Sequence, residues 1–299
     1  MVMSIYVNLI INVHLRKRRG NMKKLVILSS MILLTFSMVG CQNNQSSNTE
    51  KSEVNNTIPY PEGYDTKSSG ASSYANSGDH KDSPYFSNID VYNLESTDTL
   101  TVLPKFKTYQ QTKEYTCGPA TALMVLEHFG ERNYDELEIS EMMNTHKDLD
   151  GDSEAKDGFA NEKGEFGTST DRMVSFFEKI GWDVTSSLTE GKLDGGYTFD
   201  DPMKFKDFVI KNLKENTPVM VEWIDWGGHW LNIIGYDTMG TEEFGDDVLI
   251  LADPYDTSDH SQDGYQIYPA ERFYYMWLDK NILPEDQGVQ QWVVAKPKK

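Results

Sequence analysis

The spacing of apolar residues changes from helical to alternating just after residue 215, and that change narrows the folds open to this chain. Before it, Ala120, Ala122, Leu123, Met124, Leu126 and Phe129 share one helical face, as do Met173, Val174, Phe176, Phe177 and Ile180. Phe205, Phe208, Val209, Ile210 and Leu213 do the same, and residues 135–144 read as a further helix. After it, 218–223, 228–236, 247–252 and 291–295 read as strands, with a short one at 265–268 and a helix or turn over 271–278. The expected class is α+β, with N-terminal helices packed against a C-terminal antiparallel sheet.

The first of these helices carries the most chemical information. Residues 111–123 place Cys117 where the helix should begin, and Gly118 and Pro119 supply a tight turn and a first-turn proline. A thiol at that position meets unpaired backbone N–H groups and the positive end of the helix dipole, which favours the nucleophilic thiolate.

The charge balance, 47 acidic against 28 basic residues and a net −19, makes nucleic acid and anionic membrane surfaces poor partners for the folded part. Six basic residues (Arg16, Lys17, Arg18, Arg19, Lys23, Lys24) precede Cys41, and no acidic residue does, so a chain starting at Cys41 would carry −25. From Met22 the order is two lysines, an apolar run of 15 residues from Leu25 to Val39, and then Gly40-Cys41. That is the order of an export signal, and the run is short of the roughly 20 residues that span a bilayer. The ending Met38-Val39-Gly40-Cys41 resembles the lipobox of bacterial lipoproteins, with Met where Leu is more usual. The resemblance implies that 1–40 is a signal region, that Cys41 is acylated, and that the mature protein is lipid-anchored to the outer face of the bacterial cytoplasmic membrane. Met22 is read as the start, with 1–21 an over-extended beginning.

Residues 41–95 are polar and of low complexity, the composition of a flexible tether, with Tyr60, Tyr64, Tyr74, Tyr85 and Phe86 as scattered aromatics able to pack on the domain and order its last part; the domain is expected over 96–299. With Cys41 lipidated, Cys117 has no disulfide partner in the chain, and an unpaired thiol in an exported protein calls for a reason such as catalysis or burial. The alternating acids of 148–154 invite a calcium reading. An EF-hand pattern counted from Asp148 would need a glycine where Ser153 stands and a glutamate where Phe159 stands, so a solvated acidic loop is the reading adopted.

Thiol chemistry needs a base, a group that orients the base, and donors for the developing oxyanion. His229 opens a strand after Gly227 and Gly228, and Asp253 ends the next strand, within reach of a neighbouring strand's histidine. Taken singly, His229 is equally a buried, satisfied histidine, and Asp253 equally a turn residue before Pro254. Asp225 is the second choice as orienting group, and Asp237 lies about 26 Å along an extended strand from His229. His128 sits three turns beyond Cys117, and His146 and His260 are placed in loops. Cys117 and His229 have no further ligands at metal-site spacing, so neither a metal nor another cofactor is expected.

Gln111-x5-Cys117-Gly118-Pro119-Ala120, Gly228-His229-Trp230-x-Asn232-Ile233-Ile234-Gly235-Tyr236-Asp237 and Ala252-Asp253-Pro254-Tyr255 together resemble papain-like cysteine peptidases. The resemblance is greatest to the bacteriocin-processing type that cuts double-glycine leaders, and it runs from about 110 to 279. It implies Cys117 as nucleophile, His229 as base, Asp253 as its orienting group and Gln111 in the oxyanion hole; Gln110 is the alternative to Gln111. Trp226, Trp230 and Tyr255 are candidates for a substrate cleft, against a plain packing role for at least some of these aromatics. Enzymes of that type commonly precede the membrane and ATPase portions of a transporter and act in the cytoplasm. A chain tethered outside points instead to peptide or protein substrates in the envelope, cut at peptide or isopeptide bonds. Acyl transfer or deamidation would use the same residues, and a non-catalytic peptide- or cell-wall-binding lipoprotein is the rival class.

Overall fold

The structure is a computed structural model; it describes residues 55–76, 89–147, 164–190, 192–223, 228–257, 262–278 and 287–299. The signal region, Cys41, the acidic loop 148–154, Asp225, Trp226 and His260 lie outside the described residues. All described residues fall in one compact unit, Ser52–Lys299.

The architecture is mixed α+β, but helices and strands are interspersed rather than divided into an N-terminal helical half and a C-terminal sheet half. Strand β1 (Leu100–Val102) precedes helices α1 (Cys117–His128) and α2 (Glu136–Met143). Strands β2 (His146–Lys147) and β3 (Glu165–Phe166) pair with each other ahead of α3 (Thr170–Lys179). Strand β4 (Asp183–Ser186) and helix α4 (Pro202–Lys214) follow, then β5 (Val219–Trp223), β6 (His229–Asp237), β7 (Val248–Ala252) and β8 (Tyr265–Pro269). Helix α5 (Ala270–Met276) separates β8 from β9 (Trp292–Lys296). The main sheet is antiparallel in the order β4-β9-β5-β6-β7-β8, with β1 added to β6. Two short strands make the departure: β1 has three residues, too few for a period to show in sequence, and β4 lies at 183–186, where residues 182–186 read as a short strand between two helices.

Local chemistry accounts for the helix ends. Asp135 caps α2 through its carboxylate, which accepts from the backbone of Leu137 and Glu138, while Glu138 reaches back to the Asp135 N–H. Asn144 ends that helix in the left-handed conformation, and Asp201 with Pro202 opens α4. Helix α1 is buried along nearly its whole length and is tied to the sheet by hydrogen bonds. Thr121 Oγ1 donates to the Trp230 carbonyl at 2.9 Å, and Asn232 Nδ2 donates to the Thr121 carbonyl at 3.1 Å. Behind the sheet, Phe199, Phe205, Phe273 and Trp277 pack ring on ring.

The segment 55–76 packs on this domain from Asn56 onward, ahead of the boundary expected near 96. The backbone of Asn56 and Ile58 pairs with Thr108, the Tyr60 ring packs tilted against Tyr109 with centroids 5.0 Å apart, and a 3-10 turn forms at Ala71–Asn76. This segment carries no apolar period; it is held by backbone groups and scattered tyrosines.

Candidate active site

Three elements bring the candidate residues together. Cys117 is the first residue of α1; it is buried and a free thiol. His229 is the first residue of β6, and Asp253 directly follows β7. The antiparallel register, with Asn232 opposite Ala252, sets the beginning of β6 beside the end of β7. His229 Nε2 consequently lies 2.5 Å from Asp253 Oδ1. The Cys117 thiol is near enough to the ring to act on its charge. Burial disfavours the imidazolium, but the Asp253 carboxylate and Cys117 outweigh it and hold the His229 pKa above the ordinary histidine range.

Gly118 is required beside the nucleophile for want of space. A Cβ there would lie 2.3 Å from Thr168 Oγ1, so any side chain would push α1 off the loop before α3. The same loop accepts a hydrogen bond from Trp230 Nε1 through the Thr168 carbonyl at 2.7 Å. Trp230 is therefore a buried packing residue and does not line an open cleft. Trp223 is likewise buried, against Tyr268 and Phe273.

Asp253 is fixed by more than His229. Gln266 Nε2 donates to its other oxygen, Oδ2, at 2.6 Å, and the Tyr255 N–H donates to Oδ1 at 2.7 Å. Gln110 holds the same turn, its amide donating to the Asp253 carbonyl and accepting from the Asp256 N–H. Both ends of the Gln110 amide are thus committed to the turn 253–256. Gln266 is invisible from sequence because it sits on β8, a five-residue strand with only a faint pattern. What places it is the pairing of β8 with β7, in which Gln266 stands opposite Leu251.

Gln111 is buried in the loop that leads to α1. Its Nε2 donates to the Lys113 carbonyl at 2.7 Å and more distantly to the Glu114 carbonyl at 3.3 Å. Its N–H donates to the Pro254 carbonyl at 2.9 Å, joining the nucleophile loop to the turn after Asp253. Glu136, the first residue of α2, is fully buried under this loop. It accepts from Tyr109 Oη, from the Thr112 N–H and Oγ1, and from Thr116 Oγ1, at 2.5 to 2.9 Å. Burial pushes its pKa up; the hydroxyls of Thr116 and Thr112, the Thr112 N–H and the Tyr109 hydroxyl oppose this without cancelling it. Nothing in the sequence marks Glu136 as buried, since acidic residues in a first helical turn are ordinarily solvated.

Tyr255 stands at the mouth. Its ring meets His229 edge-on with centroids 6.5 Å apart, and its hydroxyl donates to Glu114 Oε2 at 3.0 Å. The other candidate histidines have structural surroundings. His128 lies against Phe106 and contacts the Asn216 carbonyl through Nε2, and His146 stacks on Phe166. Asp237, at the far end of β6, accepts from the Met239 N–H. Among the described residues no group of three or more His, Cys, Asp or Glu side chains converges as a metal site.

A crystal structure of the peptidase domain of Streptococcus ComA, a bifunctional ABC transporter involved in quorum sensing, matches at 18% identity. The match covers 64% of this chain and 99% of that one, with a TM-score of 0.37. No curated protein matches the chain. The family described as Peptidase_C39 like matches residues 104–281, a stretch that contains Gln111, Cys117, His229 and Asp253. Over more than half its length, then, this is a C39-like chain, and it belongs to that family of cysteine peptidase relatives.

Proposed function

We propose that the chain is a thiol peptidase that hydrolyses peptide or isopeptide bonds, with Cys117 as nucleophile, His229 as base and Asp253 as its orienting group. The observation that carries this reading is the His229 Nε2 contact with Asp253 at 2.5 Å, in a domain whose buried free thiol opens α1. Cys117 Sγ would attack the scissile carbonyl carbon while the helix N-terminus and the Cys117 N–H stabilise the oxyanion. The Gln111 amide hydrogen on its longer contact, to Glu114, is the one free to turn onto that oxygen. His229 would then give its proton to the leaving amine, and water activated by the neutral imidazole would release the thioester.

In this reading the enzyme works outside the cell, held to the cytoplasmic membrane by lipid on Cys41, and takes peptide or protein substrates from the envelope. The support for that placement is the sequence of residues 22–41. The test is alkylation by iodoacetamide of the full chain in a Cys41→Ser background, so that Cys117 is the only thiol. Rapid modification at neutral pH, lost in His229→Ala, is the expected result. A rate equal to that of a free thiol and indifferent to His229→Ala would leave the chain as a binding domain. Labelling of intact cells with a lipid precursor, lost in Cys41→Ser, tests the anchor.

A further inference from the structure

The segment 55–76 lies before the family match at 104–281, yet it is built into the rim of the site. The Ser72 N–H donates to the Gln111 carbonyl at 3.1 Å, and the Gly70 N–H donates to Glu114 Oε1 at 2.9 Å. Glu114 passes the contact on, since its Oε2 accepts from the Tyr255 hydroxyl. The Tyr74 ring lies 6.0 Å from that of Tyr255, which in turn borders His229. Gln262 Nε2 closes the far side by donating to the Ala71 carbonyl at 3.2 Å. The backbone of Gln111 is therefore held from both sides: its N–H by Pro254 of the sheet, its carbonyl by Ser72 of the strap.

The fit at Gly70 leaves no room. A Cβ there would lie 2.4 Å from the Gln111 carbonyl oxygen and 2.5 to 2.6 Å from backbone atoms of Thr112 and Lys113, and φ is +67°. A side chain at this position would have to displace either the strap or the loop that carries Gln111.

We propose that the strap is a positioning element of the active site: docked through Gly70 and Ser72, it sets the aim of the Gln111 amide at the oxyanion and holds Tyr255 against His229. The proposal rests on the peptidase reading and is specific about which step the strap serves. Acylation of Cys117 by p-nitrophenyl acetate forms the Sγ–C bond through a tetrahedral oxyanion and expels p-nitrophenolate. Alkylation by iodoacetamide forms an Sγ–C bond by displacing iodide and develops no oxyanion. An element that positions Gln111 must therefore affect the first reaction far more than the second.

The experiment compares both rates in the full Cys41→Ser chain and in its Gly70→Ala and Ser72→Pro derivatives, the latter removing the N–H that reaches Gln111 together with the hydroxyl that donates to the Ser69 carbonyl. Gly70→Ala is expected to slow acylation about tenfold, less than the ~10²–10³ for outright loss of an oxyanion donor, while alkylation stays within about threefold. Ser72→Pro should shift the ratio of the two rates in the same direction by less. An unchanged ratio in both variants overturns the proposal, and so does an equal fall in both rates, which marks a merely structural strap. A parent chain that is alkylated but never acylated fails earlier, at the peptidase reading, and takes the strap's role with it.

Discussion

The two walls of the site are built by different means. The His229–Asp253 wall is sheet: the pairing of β6, β7 and β8 sets the start of one strand beside the end of the next, and Gln266 arrives on the third. The wall that carries Gln111 and leads to Cys117 is loop. It is held from beneath by the buried carboxylate of Glu136 and from outside by the strap. A ladder distributes its strength over many equivalent hydrogen bonds, whereas the loop depends on a few particular side chains. Single substitutions on the loop side should therefore disturb the fold more than those on the sheet side, where the His229–Asp253 contact lies.

The largest expected effect is chemical: His229→Ala should slow acylation of Cys117 by about 10²–10⁴-fold, measured with p-nitrophenyl acetate at neutral pH. Next is Glu136→Ala, which strips four hydrogen bonds from one buried cluster and leaves the Thr112 N–H without its acceptor. It should cost about 3 kcal/mol or more in denaturant unfolding, against a smaller loss for Glu136→Gln, whose amide oxygen can still accept from that N–H. On the sheet side, Gln266→Leu leaves Asp253 Oδ2 without its amide and should cost about 1–3 kcal/mol. If the loop variant proves no more costly than the sheet variant, the contrast between the walls is wrong.

A pH series sharpens it further. Because the folded His229 pKa is raised, its contact with Asp253 contributes fully to stability below about pH 6.5, where the unfolded chain is also protonated. That contribution is lost as pH rises through the higher folded value. Asp253→Asn should flatten the decline seen in urea unfolding between neutral and alkaline pH. The smallest effect is expected at Asp135→Ala, which removes the α2 cap at about 1 kcal/mol and should leave both thiol rates unchanged.

What was legible in sequence follows the same division. Helix starts are local signals: Cys117 ahead of Gly118-Pro119 opens α1, and the helix read over 135–144 is α2, which Asp135 caps. His229 and Asp253 were legible as a pair because adjacent antiparallel strands bring a start beside an end. The strap was legible only through its scattered tyrosines, since the backbone donors and one glycine that also hold it leave no hydrophobic period. The burial of Glu136 was hidden because the hydroxyls that satisfy it come from residues 109–116, on a different element. Trp230 looked like a cleft residue by its position next to His229, but neighbours in a strand face opposite ways, and its indole nitrogen reaches the Thr168 carbonyl.

The docked strap also fixes the length of the leash. If Cys41 carries the lipid, fifteen peptide units separate the anchor from Asn56, whose carbonyl accepts from the Thr108 N–H. At ~3.3–3.6 Å per residue their full extension is about 50 Å, against about 190 Å for a tether running freely to residue 95. The strap would then confine this thiol to bonds close above the membrane, so that distance from the bilayer, as much as side-chain identity, selects what is cut.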